Sequence, residues 1–144
     1  MTYDQLDSIA DAVNPVLFVI CSTSTIVSCS RDKNYIAPIQ LFLVVLAVYV
    51  LMFIDKLTSL WSNFGLDYST HSAVALALVL YLILQWRNVL LRVCLAVVLL
   101  AYYALEVYQQ YHSLMDIVTT VAALLPALLL ICFGVKQQTL SGRV

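Results

Sequence analysis

Five apolar stretches follow one another along the chain, and they leave little sequence for anything except membrane helices. They cover residues 15–30, 35–54, 71–86, 89–108 and 114–133. A helix needs about 20 mostly apolar residues to cross the hydrocarbon core of a bilayer. The chain is 63% hydrophobic and 10% charged, whereas a soluble domain is roughly half apolar and a quarter charged. We therefore expect one all-α domain over residues 1–144, a polytopic membrane helical bundle.

The stretch 15–30 is the weakest of the five, because serine and threonine residues dilute it. We expect five transmembrane helices, or four if this stretch does not span. The connections near Arg31 and Arg87 are only a few residues long, which predicts antiparallel neighbours. The longest connection is the polar segment 55–70.

The basic residues indicate how the helices are oriented. In either count of spans, six of the seven basic residues fall on one side of the membrane, which the positive-inside rule assigns to the cytoplasm. Lys56 alone falls on the other side. We expect an integral protein of the plasma membrane, of the bacterial inner-membrane type. The chain has no basic tract, so nucleic acid is not expected as a partner. The six are Arg31, Lys33, Arg87, Arg92, Lys136 and Arg143.

Two histidines stand at the ends of apolar stretches that should lie on the extracytoplasmic side. His71 begins one stretch, and His112 shortly precedes another. Asp116 lies four residues after His112, so on a helix the two side chains share a face. Ionisable groups at membrane depth are costly and usually functional. A histidine nucleophile, a carboxylate that orients it and a second histidine as acid would suit phosphoryl transfer.

These residues resemble the motifs of the type 2 phosphatidic acid phosphatase superfamily, including its sphingomyelin-synthase-like branch. The resemblance rests on Ser69-Thr70-His71-Ser72 and on His112-x-x-x-Asp116. It implies that His112 is the nucleophile, Asp116 its partner, His71 the general acid and Ser69 a phosphate contact. It also implies a lipid phosphatase or phosphotransferase that acts on a lipid phosphate at the extracytoplasmic face, with no obligatory cofactor.

The chain departs from the family pattern at three places. Thr70 stands where the family has glycine before the histidine. Asn63 and Phe64 stand where the first motif has arginine and proline, and Glu106 stands where an arginine precedes the nucleophile. Two phosphate-binding arginines are therefore missing, although cationic groups supply much of the stabilisation in phosphoryl transfer.

Without those arginines, other side chains are expected to bind the substrate. Lys56 is the one basic residue on the histidine side of the predicted topology, which makes it the candidate phosphate ligand. Tyr68 and Tyr111 adjoin the two motifs and are expected beside the lipid headgroup together with Ser69.

Three alternatives stay open. Glu106, His112, Asp116 and His71 could instead hold a divalent metal such as Zn²⁺, which would make the protein a metal-dependent membrane hydrolase. The missing arginines and small size also fit a non-catalytic subunit, either a homo-oligomer or part of a larger membrane complex. A proton- or ion-conducting bundle is disfavoured, because the titratable groups sit at the ends of the spans.

Overall fold

The structure, a computed structural model, describes residues 3–141 as an all-α bundle, which confirms the predicted fold class. Four helix-to-helix connections join its five helices, and one of them contains a short 3-10 turn at Ser62–Phe64. The helices are α1 (Tyr3–Asp32), α2 (Ile36–Thr58), α3 (Thr70–Gln85), α4 (Val89–Tyr108) and α5 (Leu114–Ser141).

Four of the five helices are long and apolar enough to cross a membrane, and the short one is not the one that the sequence indicated. The segment Gln5–Arg31 of α1 qualifies, although the stretch 15–30 was the weakest candidate. The short helix is α3, with 16 residues, which span about 24 Å at 1.5 Å per residue. The protein is therefore an integral membrane bundle in which α3 differs from its neighbours.

Helix α3 lies at the centre of the bundle, where it packs against all four other helices. Nine of its 16 residues are buried, among them Ala73, Ala75 and Ala77. Small side chains let neighbouring helices approach closely in membranes. A helix that is apolar on all faces is one that a bundle buries, so α3 contacts protein on all sides, whereas the other helices keep exposed apolar faces.

Hydroxyl and indole groups join α1 to the central helix and to the residue after it. The hydroxyls of Thr25 and Tyr81 are 2.6 Å apart in the buried interface, and Trp86 Nε1 donates to Ser24 Oγ at 3.1 Å. Ser24 and Thr25, two of the hydroxyl residues that lower the hydropathy of α1, thus bond α1 to α3 and to the residue that follows it.

Polar caps explain where two helices begin. Ser69 precedes α3, and its side chain accepts a hydrogen bond from Ser72 N. Asn88 precedes α4 and accepts from the backbone of Leu90 and Leu91. Such caps satisfy N–H groups that have no partner inside the helix.

Candidate functional site

One end of the bundle brings together the beginning of α1 and the two segments 59–69 and 109–113. Asp7 Oδ1 accepts hydrogen bonds from Gln109 Nε2 at 2.6 Å and from Tyr111 Oη at 2.8 Å. These contacts tie α1 to the segment that connects α4 with α5. We call this the histidine end, because His71 and His112 both lie there.

A cavity of about 240 Å³ lies at the histidine end, between α1, α3, α4 and the segment 109–113. His71, in the first turn of α3, and His112, just before α5, both line it. The fold therefore brings to one cavity the two histidines that the sequence singled out. The complete lining is Ala10, Asp11, His71, Tyr102, Glu106, Tyr111 and His112.

The His112 imidazole is mostly buried, with 15% of its side chain exposed. Its Nδ1 has no hydrogen-bond partner in the described part of the protein. The carboxylate Oδ2 of Asp67 lies 3.8 Å from this nitrogen, at ion-pair distance. Asp67 is largely exposed, with 78% of its side chain accessible, so a small rotation would complete a hydrogen bond.

Asp116 has a different position from the one expected of a residue that orients His112. Its two carboxylate oxygens accept hydrogen bonds from the backbone N–H of Asp67 and of Ser113, each at 2.8 Å. Its own N–H donates to Ser113 Oγ at 3.2 Å, which completes a reciprocal capping box at the start of α5. Asp116 is not among the residues that line the cavity. It joins the segments that carry Asp67 and His112, and so acts on His112 through the backbone.

Glu106 is the most deeply buried carboxylate at this end, with 3% of the residue exposed. It accepts hydrogen bonds from Ser72 Oγ at 2.6 Å and Ser69 Oγ at 3.3 Å, and the Tyr102 hydroxyl lies close enough to interact with it electrostatically. Asn14 Nδ2 in turn donates to the Tyr102 hydroxyl at 3.4 Å. These bonds hold a carboxylate at the position where the family that the sequence motifs resemble has an arginine.

The four residues expected to bind substrate do not meet at the cavity. Tyr111 lines it. Lys56 is exposed in the last turn of α2 and is not part of the lining. Tyr68 is buried and donates to the carbonyl of Val48 at 3.1 Å. Ser69 is fully buried and turned toward Glu106.

Two polar lining residues were not anticipated from the sequence as site residues, namely Asp11 and Tyr102. A signal for Asp11 was available, because Asp7, Asp11 and Asn14 are spaced four and three residues apart. That spacing places all three on one face of a helix. No comparable pattern marks Tyr102, since tyrosines near the end of a membrane helix are common at the interface.

The lining of the cavity is acidic. Asp11 and Glu106 contribute carboxylates, and no lysine or arginine is among the described residues that line it. In the part of the chain that the structure describes, no group of three or more histidine, cysteine or acidic side chains is arranged to hold a metal ion. The four residues proposed as metal ligands are thus not gathered into a preformed cluster.

Comparison with known proteins finds no match among family models, curated proteins or solved structures. The function is therefore argued from the geometry of the cavity.

Proposed function

We propose that the chain is a membrane-embedded lipid-phosphate phosphatase or phosphotransferase, with His112 as nucleophile and His71 as general acid. The observation that carries this proposal is that both imidazoles line one cavity of about 240 Å³. Pockets that enclose a drug-sized ligand measure about 300–1,000 Å³. This one fits a headgroup whose tail remains in the bilayer.

An apolar groove supports a lipid as the substrate. It measures about 790 Å³ and runs between α4 and α5. Its lining includes Tyr108 and Leu114, which flank the segment that carries His112. A tail in this groove would approach the cavity from the bilayer, so the substrate need not leave the membrane.

In the proposed reaction, His112 Nε2 attacks phosphorus while the bond from phosphorus to the lipid oxygen breaks. His71 gives its proton to that oxygen, and His112 becomes a phosphohistidine. Water, or an acceptor alcohol, then gives its proton to His71 and attacks phosphorus, which breaks the P–N bond. Asp67 favours a proton on Nδ1 of His112 and so leaves Nε2 free to attack, while Asp116 fixes the backbone of both segments.

The carboxylates of Asp11 and Glu106 restrict the substrate. They would repel a bare phosphate dianion in a site with low dielectric constant. We infer that the substrate headgroup carries a positive charge beside its phosphate, which offsets this repulsion. The acidic lining also favours a second candidate function, a metal-dependent hydrolase in which Glu106 and the histidines bind the ion.

The test is phosphate release by the purified protein in liposomes that contain a panel of lipid phosphates. His112→Ala and His71→Ala should each lower turnover by about a hundredfold or more, the usual contribution of an acid–base or nucleophilic group. Lys56→Ala is the matched control outside the cavity and should leave turnover unchanged. An acid-labile phosphoprotein should form in the wild type and be missing from His112→Ala.

Chelation separates the two candidate functions. Release that resists EDTA and depends on His112 supports the phosphohistidine reaction, whereas release that EDTA abolishes and Zn²⁺ restores supports the metal-dependent one. No release and no transfer to an acceptor alcohol would contradict both. A non-catalytic subunit, recovered with a larger membrane protein or as a homo-oligomer, would then be the better explanation.

We propose further that the histidine end faces outward from the plasma membrane. Arg31, Lys33, Arg87 and Arg92 all lie at the opposite end, as the positive-inside rule requires. In a background without the native cysteines, Asn63→Cys should react with an impermeant maleimide on intact cells, and Lys33→Cys should not. The reverse pattern would contradict this orientation.

A further inference from the structure

A second cavity lies at the opposite end of the bundle, which we call the basic end. It measures about 870 Å³ and is enclosed by α1, the end of α3 and the start of α4. It shares no lining residue with the cavity at the histidine end. Its lining is Val19, Ile20, Thr23, Ser24, Val27, Ser28, Gln85, Trp86, Arg87, Asn88 and Leu91.

One part of this second cavity is polar and cationic. Arg87 is exposed, and no carboxylate among the described residues forms an ion pair with it. Arg92 Nε donates to the carbonyl of Trp86 at 2.6 Å, which holds a second guanidinium beside the lining. Ser28 adds a hydroxyl that can donate a hydrogen bond, and Gln85 keeps one amide hydrogen for this purpose because the other donates to Gln40 Oε1 at 3.1 Å. No aspartate or glutamate is among the described lining residues.

The other part is apolar and open toward the bilayer. Val19 and Val27 belong to the exposed face of α1, and Leu91 belongs to the exposed face of α4. Together with Ile20, these side chains form an apolar wall next to the cationic part of the cavity. The polar residues alone would suit any small anion, but the adjoining apolar wall requires a ligand that has a hydrocarbon chain as well.

We propose that this second cavity binds one anionic phospholipid of the leaflet at the basic end. The phosphate pairs with Arg87, and an acyl chain lies along Val19, Val27 and Leu91. Basic clefts between membrane helices on the cytoplasmic side are sites of this kind. A second copy of this chain is a poor occupant, because it would bring its own cationic end against Arg87 and Arg92. The proposal is independent of any reaction at the histidine end.

The test measures lipid binding by native mass spectrometry of the full chain in detergent, with equimolar phosphatidylglycerol and phosphatidylcholine of identical acyl chains. The wild type should retain phosphatidylglycerol at least about fivefold better. Arg87→Gln should abolish that preference. Lys33→Gln removes one positive charge from the same end but outside the cavity, and it should retain the preference.

Three outcomes would overturn the proposal. One is equal retention of the two lipids by the wild type. Another is an equal loss of the preference in Arg87→Gln and Lys33→Gln, which would show that the preference comes from the general positive charge of this end and not from the cavity. The third is displacement of the lipid by an equal concentration of soluble glycerol phosphate, which would show that the apolar wall contributes nothing.

Fluorescence gives a second measurement that does not depend on lipid retention. Trp86 lines the cavity, and the chain has one other tryptophan, Trp61, at the histidine end. In a Trp61→Phe background, brominated phosphatidylglycerol should quench Trp86 more strongly than brominated phosphatidylcholine. This difference in quenching should vanish when Arg87→Gln is added. Equal quenching by both lipids in the Trp61→Phe protein with Arg87 intact would contradict the proposal.

Discussion

Asp116→Asn should destabilise the histidine end, because Asp116 accepts two backbone hydrogen bonds that an amide cannot both replace. One oxygen accepts from Asp67 N and the other from Ser113 N, each at 2.8 Å. A hydrogen bond to a charged group contributes about 1.5–3 kcal/mol. The asparagine keeps one acceptor but turns an NH₂ group toward the other donor, so we expect a loss of about 2 kcal/mol. Asp116→Ala loses both acceptors and should cost about 3–5 kcal/mol.

The assay is reversible unfolding in mixed micelles of dodecyl maltoside and SDS, followed by circular dichroism. Asp67→Asn is the matched control, because it makes the same chemical change on a side chain that is 78% exposed and keeps the backbone N–H that Asp116 accepts. It should change the free energy of unfolding by less than about 0.5 kcal/mol. Equal effects of Asp116→Asn and Asp67→Asn would refute the argument that Asp116 joins the two segments.

Three further predictions test other contacts. Glu106→Ala should cost about 2–3 kcal/mol in the same unfolding assay, since it leaves buried hydroxyl donors without an acceptor, whereas Glu106→Gln should cost about 1 kcal/mol; equal costs would contradict this. Tyr81→Phe should cost about 1 kcal/mol through the lost bond to Thr25, and adding Thr25→Val should cost little more; fully additive losses would argue against the bond. The pKa of Tyr111 is raised because its hydroxyl donates to Asp7 and is partly desolvated. The folded state therefore keeps this proton to a higher pH than the unfolded state. The stabilisation from the hydrogen bond is complete below the usual tyrosine pKa of about 10 and is lost as the pH rises through the raised pKa of the folded state. Wild type should lose more stability than Tyr111→Phe in that range, and parallel pH profiles would contradict the contact.

The sequence by itself determined the helices and which of their ends meet. Four of the apolar stretches form helices long enough to cross a bilayer, and Ser69 and Asn88 mark helix starts through their capping chemistry. Short connections make neighbouring helices antiparallel, so every second helix begins at the same end of the bundle. His71 and His112 stand at the beginnings of the third and fifth helices and therefore lie at the same end. None of these inferences needs a knowledge of which helix faces touch.

Local spacing and hydropathy were less reliable guides where a second interaction competes. His112 and Asp116 have the spacing of side-chain neighbours, yet the backbone N–H groups of Asp67 and Ser113 engage the carboxylate instead. The hydroxyls of α1 lower its hydropathy, but Ser22, Thr23 and Thr25 bond to carbonyls four residues earlier. Their polarity is satisfied within the helix.

The tertiary structure alone decided what surrounds the two histidines. Helix α1 brings Asp11 to the cavity, and α4 contributes Tyr102 and turns Glu106 toward α3. The choice depends on which faces of these helices pack together. In a bilayer, apolar contact with lipid is about as favourable as apolar contact with another helix, so hydropathy leaves that choice open. Close packing around the small residues of α3 and the hydrogen bonds that end on Glu106 settle it.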